Sequence, residues 1–231
     1  MEKTTVIGIT NCGSFANYEK WFLAERDVEV VHLDENKNNL DDVERCDGVV
    51  LSGGEDIHPR YYKKEEYVEF CKFNELRDEF EWRVLEKLVQ HQQPLFGICR
   101  GLQVANVFFG GTLIPDIPSF GKFNHSKFSD LDRYHNVRVD NNSLLARITD
   151  EVDGKINSAH HQSAARVGKD LVANCFSPDG VIEGIEWKEP EGKPFLMLVQ
   201  WHPERMTDLT SPFSRNIKLA FLAAARERKG I

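Results

Sequence analysis

Short apolar segments alternate with longer amphipathic segments through the first half of the chain. The apolar segments are rich in β-branched residues and have the length of buried strands, whereas the longer ones repeat their apolar residues at helical spacing. The predicted elements are strands at 4–10, 29–33, 48–51 and 95–98 and helices at 18–26, 74–90 and 100–109. This alternation predicts βαβ units, and therefore an α/β fold whose mostly parallel central sheet carries helices on both faces.

The second half of the chain is richer in strand-like segments. Its predicted elements are strands at 137–139, 171–176, 181–187 and 195–201 and a closing helix at Ser211–Arg228, with Pro212 near the first turn. The longest poorly patterned segment is Pro118–Asn136, which has the composition of a loop. Because no repeat, low-complexity tract or linker interrupts the pattern, we expect one domain over residues 1–231 with a small β-rich part in its second half.

Charge and hydropathy limit the partners that this chain is expected to bind. The formal net charge is -8 and the pI is about 5.5, with no basic block, so neither nucleic acid nor an anionic membrane is an expected partner. The longest apolar stretches are far shorter than a membrane span, and the first residues lack the layout of a signal peptide. The five cysteines are odd in number and contain no CxxC pair, which argues against a disulfide framework or a zinc-thiolate site and favours the reducing cytoplasm.

Cys99 stands at the corner between the fourth predicted strand and the helix that follows it. The segment G-I-C-R-G places Gly97 and Gly101 two residues to either side, which is the glycine spacing of a nucleophile elbow with a thiol in place of a hydroxyl. The helix dipole favours negative charge on the sulfur, and the Arg100 N–H at the helix start can stabilise an oxyanion. The alternative is a buried cysteine at an ordinary βα turn, and this segment alone does not separate the two.

A base for the thiol is offered by VQWHPE, residues 199–204. Pro203 favours an extended conformation at His202, so Glu204 can reach the imidazole and hold one ring nitrogen protonated. This is the nucleophile–base–orienter logic of a catalytic triad. An isolated H-P-E is more often a surface turn. A zinc deaminase would need a P-C-x-x-C after the H-x-E, and a zinc protease an HExxH; neither sequence is present.

The third predicted strand ends in LSGGEDIHP, residues 51–59. Adjacent glycines allow a tight loop whose N–H groups point into a cavity, and the Gly54 amide is our candidate for a second oxyanion donor. Most such glycines only turn the chain. The loop gains meaning because it precedes the cysteine corner by one βα unit, which would make the two neighbours in a sheet.

The three motifs SGGEDIHP, GICRGLQ and QWHPE, in this order, resemble the class I glutamine amidotransferase fold. More narrowly, the chain is similar to the γ-glutamyl-γ-aminobutyrate hydrolase group, the C26-type cysteine peptidases. That narrower resemblance rests on S-G-G-x-D-I-x-P, on R-D-x-x-E at residues 77–81, on R-G-L-Q after the cysteine and on N-S-A-H-H-Q at residues 157–162. It covers nearly the whole chain and implies a flavodoxin-like sheet.

The resemblance also implies roles for individual residues. It implies Cys99 as nucleophile, His202 as general base and then acid, and Glu204 as the group that orients His202. The implied oxyanion donors are the Gly54 and Arg100 amides, and the implied substrate-binding residues are Gly53, Gln103, His160, His161 and Gln162. Arg77 and Asp78 are expected to form an ion pair or a helix cap, and neither a metal nor an organic cofactor is expected.

Three functions remain open from the sequence. The first is a hydrolase that cleaves the γ-glutamyl amide bond of a γ-glutamyl amine through a γ-glutamyl thioester. The second is a glutaminase subunit that delivers ammonia to a synthase on a separate chain. The third is a binding module without catalysis, which the retention of Cys99, His202 and Glu204 makes the weakest. The leaving amine, the oligomeric state (a homodimer is one option) and the roles of the Lys63–Phe73 and Pro118–Asn136 segments are left open.

Overall fold

A computed structural model describes residues 4–228 of the chain. In this range the strands are β1 (Thr5–Thr10), β2 (Val28–Leu33), β3 (Gly48–Leu51), β4 (Leu95–Ile98), β5 (Thr112–Ile114), β6 (Arg133–Val139), β7 (Asp153–Ser158), β8 (Ser163–Arg166), β9 (Leu171–Phe176), β10 (Ile182–Trp187) and β11 (Leu196–Val199). The α-helices in the same range are α1 (Phe15–Leu23), α2 (Glu75–Gln90), α3 (Arg100–Phe108), α4 (Leu144–Thr149) and α5 (Arg215–Arg228).

Nine of the strands form one sheet in the order β2-β1-β3-β4-β11-β10-β9-β6-β7. The first five strands in this order run parallel, and their order is that of a flavodoxin-like doubly wound sheet. The other four continue the sheet in antiparallel fashion, while β5 and β8 pair separately. The predicted α/β fold with a parallel central sheet is therefore confirmed, and most of the predicted β-rich part extends that same sheet.

The central strands are buried on both faces because helices cover both sides of the sheet. Every residue of β3, β4 and β11 is buried. Alternate residues of β3 point into different cores: Val50 packs with α1 and α5, whereas Val49 and Leu51 pack with α2 and α3. This period of two is the geometry of a pleated strand, and it explains why such strands appear in the sequence as continuous apolar runs.

Most predicted elements lie within a few residues of their observed bounds. Helix α1 begins and ends three residues before the predicted 18–26, and α5 begins at Arg215, after turns at 211–214, rather than at Ser211. The segment predicted to be a loop at Pro118–Asn136 ends in strand β6, which begins at Arg133. Strands β5, β7 and β8 and helix α4 were not predicted, because β7 (DGKINS) and β8 (SAAR) lack apolar alternation and the other two are very short.

Two absences apply to the described residues. Between residues 4 and 228, no helix is long and apolar enough to cross a membrane. All five cysteines lie in this range and are free thiols, in agreement with the expectation that the chain has no disulfide framework.

Candidate active site

The candidate site lies at the carboxyl ends of three adjacent parallel strands. The Ser52–Gly54 loop follows β3, Cys99 follows β4, and His202 follows β11 by three residues. Because β3, β4 and β11 are neighbours, their ends meet at one edge of the sheet. The Cys99 N–H donates to the Val199 carbonyl over 2.7 Å, which fastens the cysteine corner to the strand that leads to His202.

Cys99 occupies a strained corner of the kind that its sequence context predicts. Its φ of 53° and ψ of -104° lie in a region that non-glycine residues rarely adopt, and the residue is buried. The flanking glycines allow β4 and α3 to pass closely: a Cβ added at Gly101 would clash with the Leu51 carbonyl oxygen, and one at Gly97 would stand 2.8 Å from the Gly101 carbonyl carbon. The glycine spacing is therefore a steric requirement of this corner.

His202 is buried beside Cys99 and is oriented by Glu204. The imidazole Nδ1 lies 2.9 Å from Glu204 Oε1. Burial by itself lowers the pKa of His202, but the Glu204 carboxylate and a charge and hydrogen bond from Cys99 raise it to about 10. Gly53 separates the two reactive side chains, because a Cβ there would stand 2.8 Å from His202 Cε1 and 3.5 Å from Cys99 Cβ. Cysteine, imidazole and carboxylate thus have the spatial order that the sequence predicts.

Two further residues hold this arrangement and were missed by sequence reasoning. The hydroxyl of Tyr18 accepts the Gly53 N–H over 2.9 Å and lies 3.5 Å from His202 Nδ1. Burial, reinforced by Glu204, raises the pKa of Tyr18 well above its usual value, so the phenol stays protonated. Asn157 Oδ1 accepts the His202 N–H over 3.0 Å. Asn157 lies in the quoted N-S-A-H-H-Q motif and so carried a signal, whereas Tyr18 carried none beyond its place in a helix.

A buried network of ion pairs contacts and supports the Ser52–Gly54 loop. The Arg77 guanidinium donates to the Ser52 and Gly53 carbonyls over 3.3 and 2.9 Å, and it pairs with Glu81 over 3.0 Å. It also leaves no room for a side chain on Gly54, whose φ is 146°. Asn74 caps α2 by accepting the Arg77 N–H. Arg77 therefore forms an ion pair, which is one of the two structural roles expected for it. This pair shapes the Ser52–Gly54 loop, which carries the candidate oxyanion donor Gly54.

The side chain of Arg100 belongs to the same network. It pairs with Asp78 over 2.5 Å and with Glu81, and all three are buried. Burial raises the pKa of Glu81, but Arg100 and then Arg77 hold it below its usual value, so the carboxyl is ionised. The side chain of Arg100 thereby locks the start of α3 against α2, while its backbone amide remains our predicted oxyanion donor.

The residues predicted to bind substrate fall into two groups, one around Gln103 and one around His161. Gln103 Nε2 donates to the Gln162 carbonyl over 3.2 Å and to Gln200 Oε1 over 3.3 Å, so Gln103 and Gln162 are brought together. His161 is half-buried, with Nε2 3.0 Å from Asp56 and Nδ1 3.5 Å from Asp116. Its hydrogen bond to Asp56 raises its pKa despite burial. Asp56, which belongs to the S-G-G-x-D-I motif, was not singled out from the sequence.

His160 differs from the other predicted substrate residues in what it faces. It is buried, its Nδ1 lies 2.9 Å from the Gln162 carbonyl, and its Nε2 is directed toward Glu183 at 3.6 Å.

The Lys63–Phe73 segment contacts Gln162, because Gln162 Nε2 donates to Cys71 Sγ over 3.2 Å. The charged segment that the sequence left without a role therefore lies against the predicted substrate residues.

Comparison with known proteins identifies the family of this chain. The peptidase C26 family model matches residues 27–204. The glutamine amidotransferase-like protein RP404 of Rickettsia prowazekii is 28% identical over 268 residues, covering 90% of this chain and 94% of that protein. NtpR of Enterococcus hirae is 32% identical over 166 residues, covering 70% and 68%. The γ-glutamyl-γ-aminobutyrate hydrolase PuuD of Escherichia coli is 30% identical over 171 residues, covering 69% and 65%.

Solved structures show the same fold at lower sequence identity. A Thermoplasma acidophilum protein named as one subunit of a GMP synthase superimposes with a TM-score of 0.71 at 18% identity, and both proteins are covered completely. The glutaminase domain of Trypanosoma brucei CTPS superimposes with a TM-score of 0.66 at 15% identity, covering 97% of this chain and 94% of that one. The fold is thus that of class I glutamine amidotransferases, and the chain belongs to the peptidase C26 family.

Proposed function

We propose that this chain hydrolyses the γ-amide bond of a γ-glutamyl amine, with Cys99 as the nucleophile. The observation that carries the proposal is the convergence of a strained cysteine corner, a carboxylate-oriented imidazole and a glycine loop at the ends of three adjacent strands. These are the parts that thiol-based acyl transfer needs: a nucleophile, a base with its orienter, and backbone donors for the oxyanion.

Acylation begins from an ion pair between the Cys99 thiolate and the His202 imidazolium. The raised pKa of His202, about 10, keeps the imidazole protonated at neutral pH. The thiolate attacks the γ-carbonyl carbon, and the negative charge moves to the carbonyl oxygen between the Gly54 and Arg100 amides. His202 then gives its proton to the amine nitrogen as the C–N bond breaks, which releases the amine and leaves a γ-glutamyl thioester.

Deacylation reverses the role of His202. The now neutral imidazole takes a proton from a water molecule, which attacks the thioester carbonyl. A second tetrahedral oxyanion collapses, the C–S bond breaks, and glutamate leaves while the thiolate–imidazolium pair is restored. The Glu204 carboxylate stabilises the imidazolium in both half-reactions.

Charge complementarity supports a glutamyl head group as the recognised part of the substrate. A glutamyl head carries one ammonium and one carboxylate. His161, whose pKa is raised, contributes a positive charge, while Asp56 and Asp116 face its two ring nitrogens and keep further acceptor positions for an ammonium. We assign Gln103, whose side-chain amide donates to the Gln162 backbone carbonyl, and Gln162 to the same recognition surface. We also expect the enzyme to work in the reducing cytoplasm, which an odd number of cysteines without a CxxC pair favours.

The second candidate is a glutaminase that supplies ammonia to a separate synthase. Its support is the class of protein to which the similar structures belong, a CTPS glutaminase domain and one subunit of a GMP synthase, and the amidotransferase-like name of one relative. Glutamine is itself a γ-glutamyl amide with ammonia as the leaving group, so the same chemistry serves both candidates. They differ only in the amine that leaves and in the presence of a partner chain.

A substrate panel tests the proposal. The wild-type protein is given γ-glutamyl-γ-aminobutyrate, other γ-glutamyl amines and free glutamine, and the released products are followed by mass spectrometry. We expect γ-glutamyl amines to be turned over, and we expect Cys99→Ala to lower turnover by about a thousandfold or more. Cys46→Ala is the matched control, since Cys46 is a buried thiol beside Gly8, outside this site.

Two results would change the assignment. Undiminished turnover by Cys99→Ala would remove Cys99 from the chemistry and overturn the proposal. Turnover of free glutamine alone, stimulated by a synthase that copurifies with the chain, would replace the hydrolase by the ammonia-delivering glutaminase.

A further inference from the structure

A second cluster of chemically active side chains lies in the antiparallel half of the sheet. His125, His135, His160 and Glu183, hereafter the histidine–glutamate cluster, each direct one nitrogen or oxygen atom toward the others, and these atoms all lie within 4.8 Å of one another. His125, His160 and Glu183 are almost fully buried, and the side chain of His135 is only 20% exposed. The residues come from four parts of the chain: the loop before β6, β6 itself, the turn after β7, and β10.

The outer nitrogen of each imidazole faces a hydrogen-bond acceptor. His125 Nε2 lies 3.2 Å from Asp179 Oδ2, His135 Nδ1 lies 3.0 Å from the Asn136 carbonyl, and His160 Nδ1 lies 2.9 Å from the Gln162 carbonyl. Carboxylates and carbonyls only accept, so each of these nitrogens must donate its hydrogen. A neutral imidazole that donates through its outer nitrogen presents a lone pair at the inner one.

The inner atoms of the cluster therefore face one another as acceptors. His125 Nδ1, His135 Nε2, His160 Nε2 and both carboxylate oxygens of Glu183 are buried, and none has a hydrogen-bond partner within residues 4–228. A buried polar atom without a partner costs free energy, and five such atoms converge here. One water molecule can donate to only two of these five atoms. The cluster therefore favours positive charge at its centre, either as extra protons on the imidazoles or as a metal ion.

The distances favour a metal ion over extra protons. Glu183 Oε1 lies 3.3, 3.4 and 3.6 Å from the inner nitrogens of His125, His135 and His160. Ligands about 2.0–2.1 Å from a tetrahedral zinc ion lie roughly 3.3–3.4 Å from one another, and these three nitrogen–oxygen distances are close to that spacing. The other pairs of ligand atoms lie within 4.8 Å, so the imidazoles would draw together around an ion. An N–H···O hydrogen bond is shorter, at about 2.7–3.2 Å. Three protonated imidazoles would moreover bury three positive charges against two carboxylates, Glu183 and Asp179.

We propose that the histidine–glutamate cluster is a closed, four-coordinate zinc site with three imidazole ligands and one carboxylate ligand. The hydrogen bonds that the imidazoles donate to Asp179, Asn136 and Gln162 are the outer contacts that orient zinc-bound imidazoles. Burial and four protein ligands are typical of a structural zinc ion rather than of one that activates water. The inference does not depend on the proposed hydrolase activity.

The place of the cluster in the fold indicates what the ion would hold together. His125 belongs to the Pro118–Asn136 segment, and His160 directly precedes His161 in the predicted substrate-binding turn. Glu183 lies opposite the strand that leads to His202, and its carbonyl accepts the Gln200 N–H over 2.8 Å. An ion bound here fastens both loops to β10, and so positions His161 and Gln162 at the edge of the candidate active site without touching Cys99.

Metal content and affinity test the site directly. The full chain is purified without a metal-affinity tag, its metals are measured by inductively coupled plasma mass spectrometry, and the protein stripped by a chelator is titrated with Zn²⁺ and with Co²⁺. We expect one zinc per chain, a lower Tm after stripping that Zn²⁺ restores, and the visible absorption of tetrahedral Co²⁺. Glu183→Gln and His135→Ala should weaken Zn²⁺ binding by more than the roughly 10–100-fold that loss of an outer contact costs.

Matched variants separate this site from other metal-binding groups. Asp179→Asn removes only an outer contact and should weaken Zn²⁺ binding by roughly 10–100-fold. His91→Ala removes an exposed imidazole and should leave binding unchanged. The Co²⁺ titration of the stripped wild-type chain decides the matter even where a variant fails to fold. A wild-type chain that binds neither Zn²⁺ nor Co²⁺, or variants that bind zinc as the wild type does, would overturn the proposal.

Discussion

Cys99 combines backbone strain with an environment that leaves it little freedom to relax. A non-glycine residue at positive φ costs of order 1–3 kcal/mol, and such a conformation persists only where the surrounding structure fixes it. Three contacts fix it here: the hydrogen bond from its N–H to Val199, the close passage at Gly101, and the anchored side chain of Arg100. These contacts therefore hold the strained corner, and with it the thiol, at the strand end beside His202.

The protonation of His202 gives the first residue-level prediction. The pKa of about 10 arises because the Glu204 carboxylate and Cys99 outweigh the effect of burial. We expect kcat/KM for a γ-glutamyl amide to fall at alkaline pH as the imidazolium is lost. In Glu204→Gln the pKa of His202 should drop, so the alkaline limb should move to lower pH. The rate should also fall, by roughly 10²–10⁴-fold, because the imidazolium loses its orienting charge.

Glu204→Asp, which keeps the charge, is the control and should retain much of the wild-type profile. An alkaline limb at the same pH in wild type and Glu204→Gln would contradict the role of Glu204.

The raised pKa of His202 also affects the free energy of unfolding. Because the pKa in the folded state lies above the ordinary 6.5, the stabilising contribution of His202 is fully present below pH 6.5. It is lost as the pH rises toward about 10.

At the level of elements, helix α2 buries charged side chains as well as an apolar face. Its inner side carries Arg77, Asp78 and Glu81, which together with Arg100 from α3 form a buried set with two positive and two negative side chains. The network connects α2, α3 and the loop after β3. Breaking one member leaves charge uncompensated in the interior, which is far costlier than losing a surface ion pair.

Glu81→Gln tests this network. We expect it to lower the free energy of unfolding by roughly 3–5 kcal/mol at neutral pH. Arg77 and Arg100 lose their shared buried carboxylate, and Arg77 keeps only the half-exposed Glu55 as a charged partner. The measurement is urea denaturation followed by circular dichroism. Glu86→Gln, an exposed position of the same helix, is the control and should change stability by less than about 0.5 kcal/mol.

The pH dependence gives a second readout of the same variant. Since the folded pKa of Glu81 is held below its usual 4.5, its stabilising contribution is present above that pH and is lost as the pH falls through the lowered value. The wild-type chain should therefore lose stability in acid more steeply than Glu81→Gln. Equal stability of Glu81→Gln and Glu86→Gln at neutral pH would show that the network carries no such weight.

At the scale of the whole molecule, the features that the sequence predicts are those that depend on local pattern and on strand ends. Cys99 and the Gly53–Gly54 loop each follow an apolar strand, and the rule that ligand sites lie at carboxyl ends of parallel strands brings them together before any coordinates are known. His202 needs the further fact that β11, the last strand of the chain, inserts beside β4. The role of His202 is therefore predicted from its motif and the family resemblance, because periodicity alone does not place β11 beside β4.

The features that the sequence did not predict depend on contacts between distant, weakly patterned segments. Strand β7 is largely polar at its start and is recognisable only once it pairs with β6. Tyr18 reaches the glycine loop from α1, which sequence spacing cannot show. The histidine–glutamate cluster gathers His125, His135, His160 and Glu183 from separate segments without any metal-ligand spacing. The sequence therefore predicts only a substrate-binding role for His160.

The central claim is that Cys99 carries the glutamyl group during turnover. The most direct measurement is rapid acid quenching of the protein with a γ-glutamyl amide, followed by digestion and mass spectrometry of the peptide that contains Cys99. We expect this peptide to gain the mass of one glutamyl residue, removable by hydroxylamine, and we expect the adduct to be absent from Cys99→Ala and present in Cys46→Ala. Turnover of the γ-glutamyl amide with no adduct on Cys99, or with the adduct on another residue, would contradict it.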